Sequence, residues 1–417
     1  MPALFTKNAA LTKCSWRFVI HFFRVAAFNM LFVSSLCAQK NLDLFVQGKV
    51  IDESTGKPIG GCSVYLSNTS KGDVTNDQGA FYIKNLQAGK YELVISAIGY
   101  GTNVIGISSA DYPHDLIAKL QIHETELSEV IVQPTSVNGW NRWGRIFLEN
   151  FIGTTGNSDQ CRIRNKDVVK FWFSEKNNKL TARADEPIIL DNDALGYTLK
   201  FKLEEFTSDF DAELVFYLGY PFFQEMESDN QKTRAKWAAN RKSAYNGSVL
   251  HFMRSIYRDR FKENGFRIVA FEKGLNIEKQ RVKDLVRSQL LRSPQQNEHS
   301  FASDSILLLK ANKEYYRRIL KQPDSLSRYV SLESVDSLMI DNEDNSKSLY
   351  FESKLEVIYN DRSPRFKQQQ SEIYLMTPEP IQIQENGSYF SPREMIVSDH
   401  WAVYEKVANL LPFDYIP

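Results

Sequence analysis

The sequence predicts a mixed, two-part architecture. An N-terminal all-β sandwich of about seven strands, transthyretin- or immunoglobulin-like, comes first. An α+β region with an antiparallel sheet and long helices follows. Three observations carry this reading. Between residues 41 and 133, short β-rich runs are broken by turn residues about every eight to twelve positions. Beyond residue 139, strand-like alternation is interleaved with stretches whose apolar residues recur at helical spacing. Finally, 42% hydrophobic and 12% aromatic residues in a chain of 417 are enough for real cores and exclude wholesale disorder.

Residues 1–38 read as an export signal. They hold Lys7, Lys13, Arg17 and Arg24 and no acidic residue, then the apolar run from Val25 to Leu36, then Cys37-Ala38-Gln39. Twelve residues rise only about 18 Å as a helix, short of the ~30 Å hydrocarbon core. Extending the span back to Phe18 would bury Arg24. Cleavage between Ala38 and Gln39 is therefore expected over an uncleaved anchor. Cys37 raises acylation as an alternative, although Leu36 stands where a lipobox has a small residue. Lys+Arg and Asp+Glu are both 51, so removing four basic residues leaves the rest at about −4. That balance gives no chain-wide attraction for nucleic acid or an anionic membrane. Cys62 and Cys161 fall in different predicted parts and read as buried thiols, with a bridge left open.

The expected strands of the first part are 44–51, 62–66, 72–75, 80–84, 91–97 and 116–122. Asn76-Asp77-Gln78-Gly79 makes a tight turn. Tyr91, Leu93, Ile95 and Ala97 alternate with Glu92 and Ser96, which predicts one buried and one wet face. Val46-Gln47-Gly48-Lys49-Val50-Ile51-Asp52, then Gly56-Lys57-Pro58-Ile59, resembles the opening of a carboxypeptidase regulatory-like domain. Val74 to Phe81, Leu86 to Tyr91 and Ile98-Gly99-Tyr100 continue the resemblance in motif order, and Gly60-Gly61-Cys62 departs from it. The resemblance implies a non-catalytic sandwich over 41–133, as found N-terminally in envelope proteins of Gram-negative bacteria. Leu127-Ser128-Glu129-Val130-Ile131-Val132 is similar to the segment that follows this sandwich in TonB-dependent receptors, which makes Leu127, Glu129, Val130, Ile131 and Val132 candidate partner-binding residues. The bland alternative is a last strand running into a linker at 134–139.

In the region 140–417, Trp140, Trp143, Phe147 and Phe151 share one helical face. Packing on a following sheet is favoured over a carbohydrate platform. Strands are expected at 168–173, 197–203, 213–220, 266–271, 349–359 and 372–376. A helical stretch at 232–262 carries an apolar stripe from Tyr245 to Tyr257 and is open to splitting at Asn246-Gly247. Nine basic residues, from Lys232 to Lys262, lie on its other faces and read as a solvated surface or as a site for phosphates, lipid head groups or an acidic partner. A polar loop is expected at 292–305 and an amphipathic helix at 400–411. Too few regular ten-residue segments and a charged helical insert argue against an outer-membrane barrel.

Chemistry-bearing motifs are few. His123-Glu124-Thr125-Glu126 has zinc-ligand spacing, but residues three apart on a strand point to opposite faces and no third ligand is evident. Asp73, Asn76 and Asp77 read as turn formers rather than a calcium loop. Ser398-Asp399-His400 are sequence neighbours and so cannot take up triad geometry. Asn68-Thr69-Ser70 fits a glycosylation sequon, which means little in a bacterial chain. No phosphate-binding loop occurs, and no cofactor or metal is expected. The expectation is a non-enzymatic exported protein of the periplasm or the periplasmic face of the outer membrane. Its sandwich would dock, and its α+β region would bind an envelope protein, peptide or glycan, with no nucleic acid. A peptide or peptidoglycan hydrolase and an accessory of TonB-dependent uptake are the alternatives.

Overall fold

Seven strands build the N-terminal part. β1 (Leu44–Asp52), β4 (Ala80–Leu86) and β7 (Leu116–Leu120) form one sheet in the order β4-β1-β7, with β1 and β7 parallel. β2 (Ser63–Leu66), β3 (Gly72–Val74), β5 (Lys90–Ser96) and β6 (Asn103–Ser108) form the other, in the order β3-β2-β5-β6. Alternate β-branched and aliphatic side chains fill the space between: Val46, Val50, Val64, Leu66, Leu93 and Ile95 are wholly buried. These elements come from a computed structural model, which describes residues 44–109, 112–113, 115–122, 139–290, 313–359 and 369–417. Ala38, Gln39, Cys37, the His123–Glu126 motif, the partner candidates Leu127, Glu129, Val130, Ile131 and Val132, most of the expected linker and the expected loop at 292–305 lie outside the described residues.

The second part begins with α1 (Gly139–Phe151). Its Trp143, Phe147 and Phe151 are buried against a six-stranded antiparallel sheet. That sheet comprises β8 (Cys161–Ile163), β9 (Val169–Ser174), β10 (Lys179–Ala184), β11 (Ile188–Asn192), β12 (Tyr197–Asp209) and β13 (Leu214–Glu225). β11 and β10 pair with successive halves of β12, and β13 runs along the other edge of β12 from end to end. The aromatic stripe therefore serves a core: Phe147 packs its ring against Phe151, Phe171 and Phe206.

α2 (Gln231–Tyr245) and α3 (Val249–Tyr257) follow, capped by the side chains of Asn230 and Ser248. The expected 232–262 helix is split at Asn246-Gly247, where Gly247 takes φ +83°. A five-stranded antiparallel sheet then assembles from β14 (Phe266–Leu275), β15 (Ser325–Ser331), β18 (Lys354–Tyr359), β19 (Gln369–Leu375) and β22 (Met395–Val397), in the order β15-β14-β18-β19-β22. Two helices, α4 (Ile277–Leu290) and α5 (Lys313–Lys321), stand between β14 and β15 in the chain. β16 (Met339–Asp341), β17 (Lys347–Leu349), β20 (Ile381–Ile383) and β21 (Tyr389–Phe390) make a small third sheet, and α6 (Asp399–Tyr404) follows β22. A second core gathers Phe252, Met253, Ile268, Leu355, Ile373 and Trp401.

Several expectations are corrected. The helices are few and short, the longest described one having 15 residues. The run 349–359 is two strands in different sheets, because Leu349 and Leu355 are both buried on either side of a bend. The C-terminal helix stops at Tyr404, where tertiary bonds take over: the Ala408 N–H donates to Ile152 O, and Asn409 Nδ2 donates to Tyr404 O and Thr155 Oγ1. β5 is buried on both faces, since Val94 has no exposure although it points away from Leu93 and Ile95. Its second face is covered from within the chain, as Phe45–Pro417 pack as one unit.

Candidate functional site

The cover over β5 and β2 is built from a turn. After β2 the chain passes through Ser67, Asn68, Thr69 and Ser70, with Asn68 at φ +58°, a conformation Asn tolerates better than most residues. The Asn68 N–H donates to Pro221 O at 2.8 Å, and the Phe223 N–H donates to Thr69 O at 3.0 Å. This places Thr69 parallel to Phe222, on the side of β13 that β12 does not use. Tyr65, on β2, packs its ring at a tilt against Phe222, the centroids 5.0 Å apart, and donates its hydroxyl to Tyr220 O. Gly72 leaves room for that ring: a Cβ there would lie 2.9 Å from both Phe222 and Tyr65 Cβ. The sequon residues are thus a joint.

A third segment closes the joint. The Phe413 N–H donates to Asn68 O, and Asp414 accepts from the Ser70 backbone and hydroxyl. The Phe413 and Tyr415 carbonyls in turn accept from the two terminal nitrogens of Arg254 at 2.9 Å each, while Nε donates to Asn386 O at 2.8 Å. Arg254 is buried on α3, its charge answered by three carbonyls fixed in a fork geometry. The Asn386 side chain carries the link back to the sandwich by donating to the Tyr91 hydroxyl at 2.9 Å. Burial pushes the Tyr91 phenol up to about 12. Beside it, Lys90 lies 2.7 Å from Asp344 and donates to Gln382. The Lys90 ammonium holds the Asp344 carboxyl far below the usual range.

Two buried titratable groups meet the first turn of α3 and the loop before it. His251 is buried, accepts the Gly247 N–H on Nδ1, and is held down to about 4 by burial and by the Arg254 charge. Glu405 accepts the Val249 N–H at the start of α3, and burial pushes its carboxyl up to about 7.

The basic stretch 232–262 does not form a continuous face. Arg254 is internal, and Arg241 lies over the Tyr197 ring and bonds Leu195 O and Gly196 O. Arg258 and Lys262 meet Glu385 and Glu333. Asp73 and Asn76 accept backbone N–H groups of the connection from β3 into β4, as turn formers do. Ser398 donates to Asp399, while His400 stacks on Tyr404 instead. Cys62 and Cys161 are free thiols. Among the described residues no group of three His, Cys, Asp or Glu side chains is placed to hold a metal, and no helix is long and apolar enough to cross a membrane. Tyr100 and Asp52, both within the family-like motifs, meet through the Tyr100 hydroxyl at 3.0 Å. Sequence reading missed the joint itself. Its one signal was Tyr65-Leu66-Ser67-Asn68-Thr69, an apolar-aromatic strand running straight into αL-tolerant turn residues.

Comparison with known proteins covers the sandwich. The CarboxypepD_reg-like domain matches residues 46–132. No curated protein matches the chain. Among solved structures, two interface mutants of a type II cohesin–X-dockerin complex from Acetivibrio cellulolyticus are similar at 28% and 30% identity. The matches cover 19% and 18% of this chain, with TM-scores of 0.17 and 0.15. The chain spans 57% and 51% of the length of those two. A DUF3823 family protein from Bacteroides uniformis ATCC 8492 is similar at 10% identity over 82% of this chain and 99% of that one, with a TM-score of 0.14. The N-terminal part of the chain is a CarboxypepD_reg-like domain, with its β2–β3 turn docked on the second part.

Proposed function

We propose that this is a non-enzymatic exported protein of the cell envelope. It would lie in the periplasm or on the periplasmic face of the outer membrane, and its second region would bind a protein, peptide or glycan. The observation that supports this reading is the joint. The CarboxypepD_reg-like sandwich docks, but it docks in cis, on β13 and on residues 413–415. A module held by buried carbonyls and a forked Arg254 is a rigid support, and rigid supports suit recognition surfaces. The sandwich thereby fixes the second region, and the second region presents the partner surface.

Envelope fractionation with in-cell cross-linking and mass spectrometry tests the reading. The expected result is an N-terminal peptide beginning at Gln39 in the envelope fraction, with one stoichiometric partner cross-linked to residues of the second region. Recovery in the cytosol with residues 1–38 intact would overturn export. Turnover of an envelope polymer, abolished by a single polar substitution, would overturn the non-enzymatic reading.

A further inference from the structure

Beyond Ala270, β14 leaves its sheet. β18 pairs only with residues 266–270, whereas β15 pairs on to Leu275, so residues 271–275 and 325–329 form a two-stranded ribbon. α4 and α5 pack at its end. Val282 and Ile319 supply their small core, and Asn276 ties them to the ribbon through Gln322 and the Pro323 carbonyl. The tip of this lobe is apolar and open: Leu275 is 78% exposed and Ile277 79%, with Leu326 and Leu320 also exposed. Leu275 and Ile277 flank Asn276, and Leu326 faces Gly274 across the ribbon.

The charge on the lobe differs from that of the chain. Residues 275–290 and 313–324 carry eight basic and four acidic side chains, in a chain that is balanced overall. Lys279 and Lys283 share Asp324, and Arg281 pairs with Glu278. Arg287, Lys313, Arg317, Arg318 and Lys321 have no carboxylate partner among the described residues. On α5, Lys313, Arg317 and Lys321 recur every four residues and so share one face, with Leu320 beside it.

We infer that the α4–α5 lobe is a membrane-surface dock, whose apolar tip enters the headgroup layer of an anionic bilayer while the unpaired cations of α5 meet lipid phosphates. Apolar side chains clustered on a protruding tip mark an interaction site rather than ordinary surface scatter. The rim of unpaired cations selects an anionic partner. A nucleic acid would engage the cations but leave Leu275 and Ile277 in water. A bilayer engages both. This goes beyond the proposed function and does not depend on it, because the readout needs only purified protein.

Residues 39–417 contain the whole compact unit and lack the apolar N-terminal run. This chain is sedimented with vesicles of equimolar phosphatidylglycerol and phosphatidylcholine, and separately with phosphatidylcholine alone. Binding is expected only to the anionic vesicles. K313E/R317E/K321E should weaken it about a hundredfold. L275S/I277S should weaken it about tenfold and leave the salt dependence in place. Both variants alter exposed side chains, so a matching thermal melt is the folding control. A salt titration of the unaltered chain is the independent check, with affinity falling as salt rises but not vanishing. No binding to anionic vesicles overturns the inference. So does loss by charge reversal with L275S/I277S unchanged, which would leave only a cationic patch for acidic ligands.

Discussion

The β2–β3 turn and the β14–β15 ribbon are both β-structure that runs out beyond its own sheet, and the molecule treats them in opposite ways. At the turn, Asn68, Thr69 and Ser70 each find a partner elsewhere in the chain, and Tyr65 keeps only 4% of its surface. At the ribbon, Leu275 and Ile277 keep most of theirs, and the cations of α5 have no carboxylate partner among the described residues. The difference lies in what meets each projection. The turn has backbone donors and acceptors aimed at a free strand edge, which fixes distance and direction. The ribbon tip has apolar side chains, whose attraction is non-directional and accepts a fluid partner. One projection is built to hold still and the other to meet something soft.

The sharpest way to break this contrast is at Arg254. Arg254→Met should leave three buried carbonyls without their donors and destabilise the protein by about 4 kcal/mol, read by urea unfolding. Arg254→Lys should rescue little, because one ammonium cannot reproduce the fork. Unchanged stability in Arg254→Met would mean that the joint is not held there. Gly72→Ala drives a methyl into Phe222 and Tyr65 and should cost about 2 kcal/mol, with faster amide exchange at Asn68 and Phe223.

Glu405 and His251 sharpen the contrast through pH. The Glu405 carboxyl is raised from 4.5 to about 7, so the folded protein keeps a proton that the unfolded chain releases. Its contribution is therefore greatest below pH 4.5 and declines as pH rises to 7. His251 is lowered from 6.5 to about 4, so its contribution is complete above pH 6.5 and declines as pH falls to 4. The two slopes oppose, and the parent protein should show a nearly flat profile between them. Glu405→Gln should raise stability by about 2 kcal/mol at pH 8 and unmask the histidine slope below pH 6.5. A flat profile in that variant would count against both burial effects. The smallest effect belongs to the ribbon: Leu275→Ser should move stability by less than about 0.5 kcal/mol, since that side chain is already in water.

Local chemistry was legible in the sequence. Six of the seven strands from Leu44 to Leu120, the aromatic face of α1 and the break at Gly247 follow from patterns within a dozen residues, whereas β6, half-buried along most of its length and paired only with β5, was missed. What escaped is what distant segments do to one another. Tyr65 reads as an ordinary strand residue until Phe222 of β13 meets its ring, and Arg254 reads as one of nine solvated cations until residues 386, 413 and 415 turn their carbonyls toward it. β8, β10 and β11 are too short and too polar at their ends to stand out, and they owe their form to pairing with β12 and its neighbours. The candidate residues from Leu127 to Val132 lie outside the described residues, so the structure adds nothing to them.

The pair formed by Ser70 and Asp414 joins positions 344 residues apart. The hairpin that presents Ser70 needs only its neighbours, whereas its catch is among the last parts of this sequence to be synthesised. Synthesis runs from the N-terminus, so the sandwich has its local contacts to hand while β13 and residues 413–415 are still to come. Closing so long a loop is entropically costly, and the cost grows only slowly with length. The joint therefore belongs to the late, slow part of assembly. Until it closes, the outer side of β13 around Pro221 and Phe223 is an open strand edge, and a second copy offering its own Asn68 turn would fit it as well as the first. Crowding during production thus favours exchange of the turn between chains, and dilution favours the clasp within one.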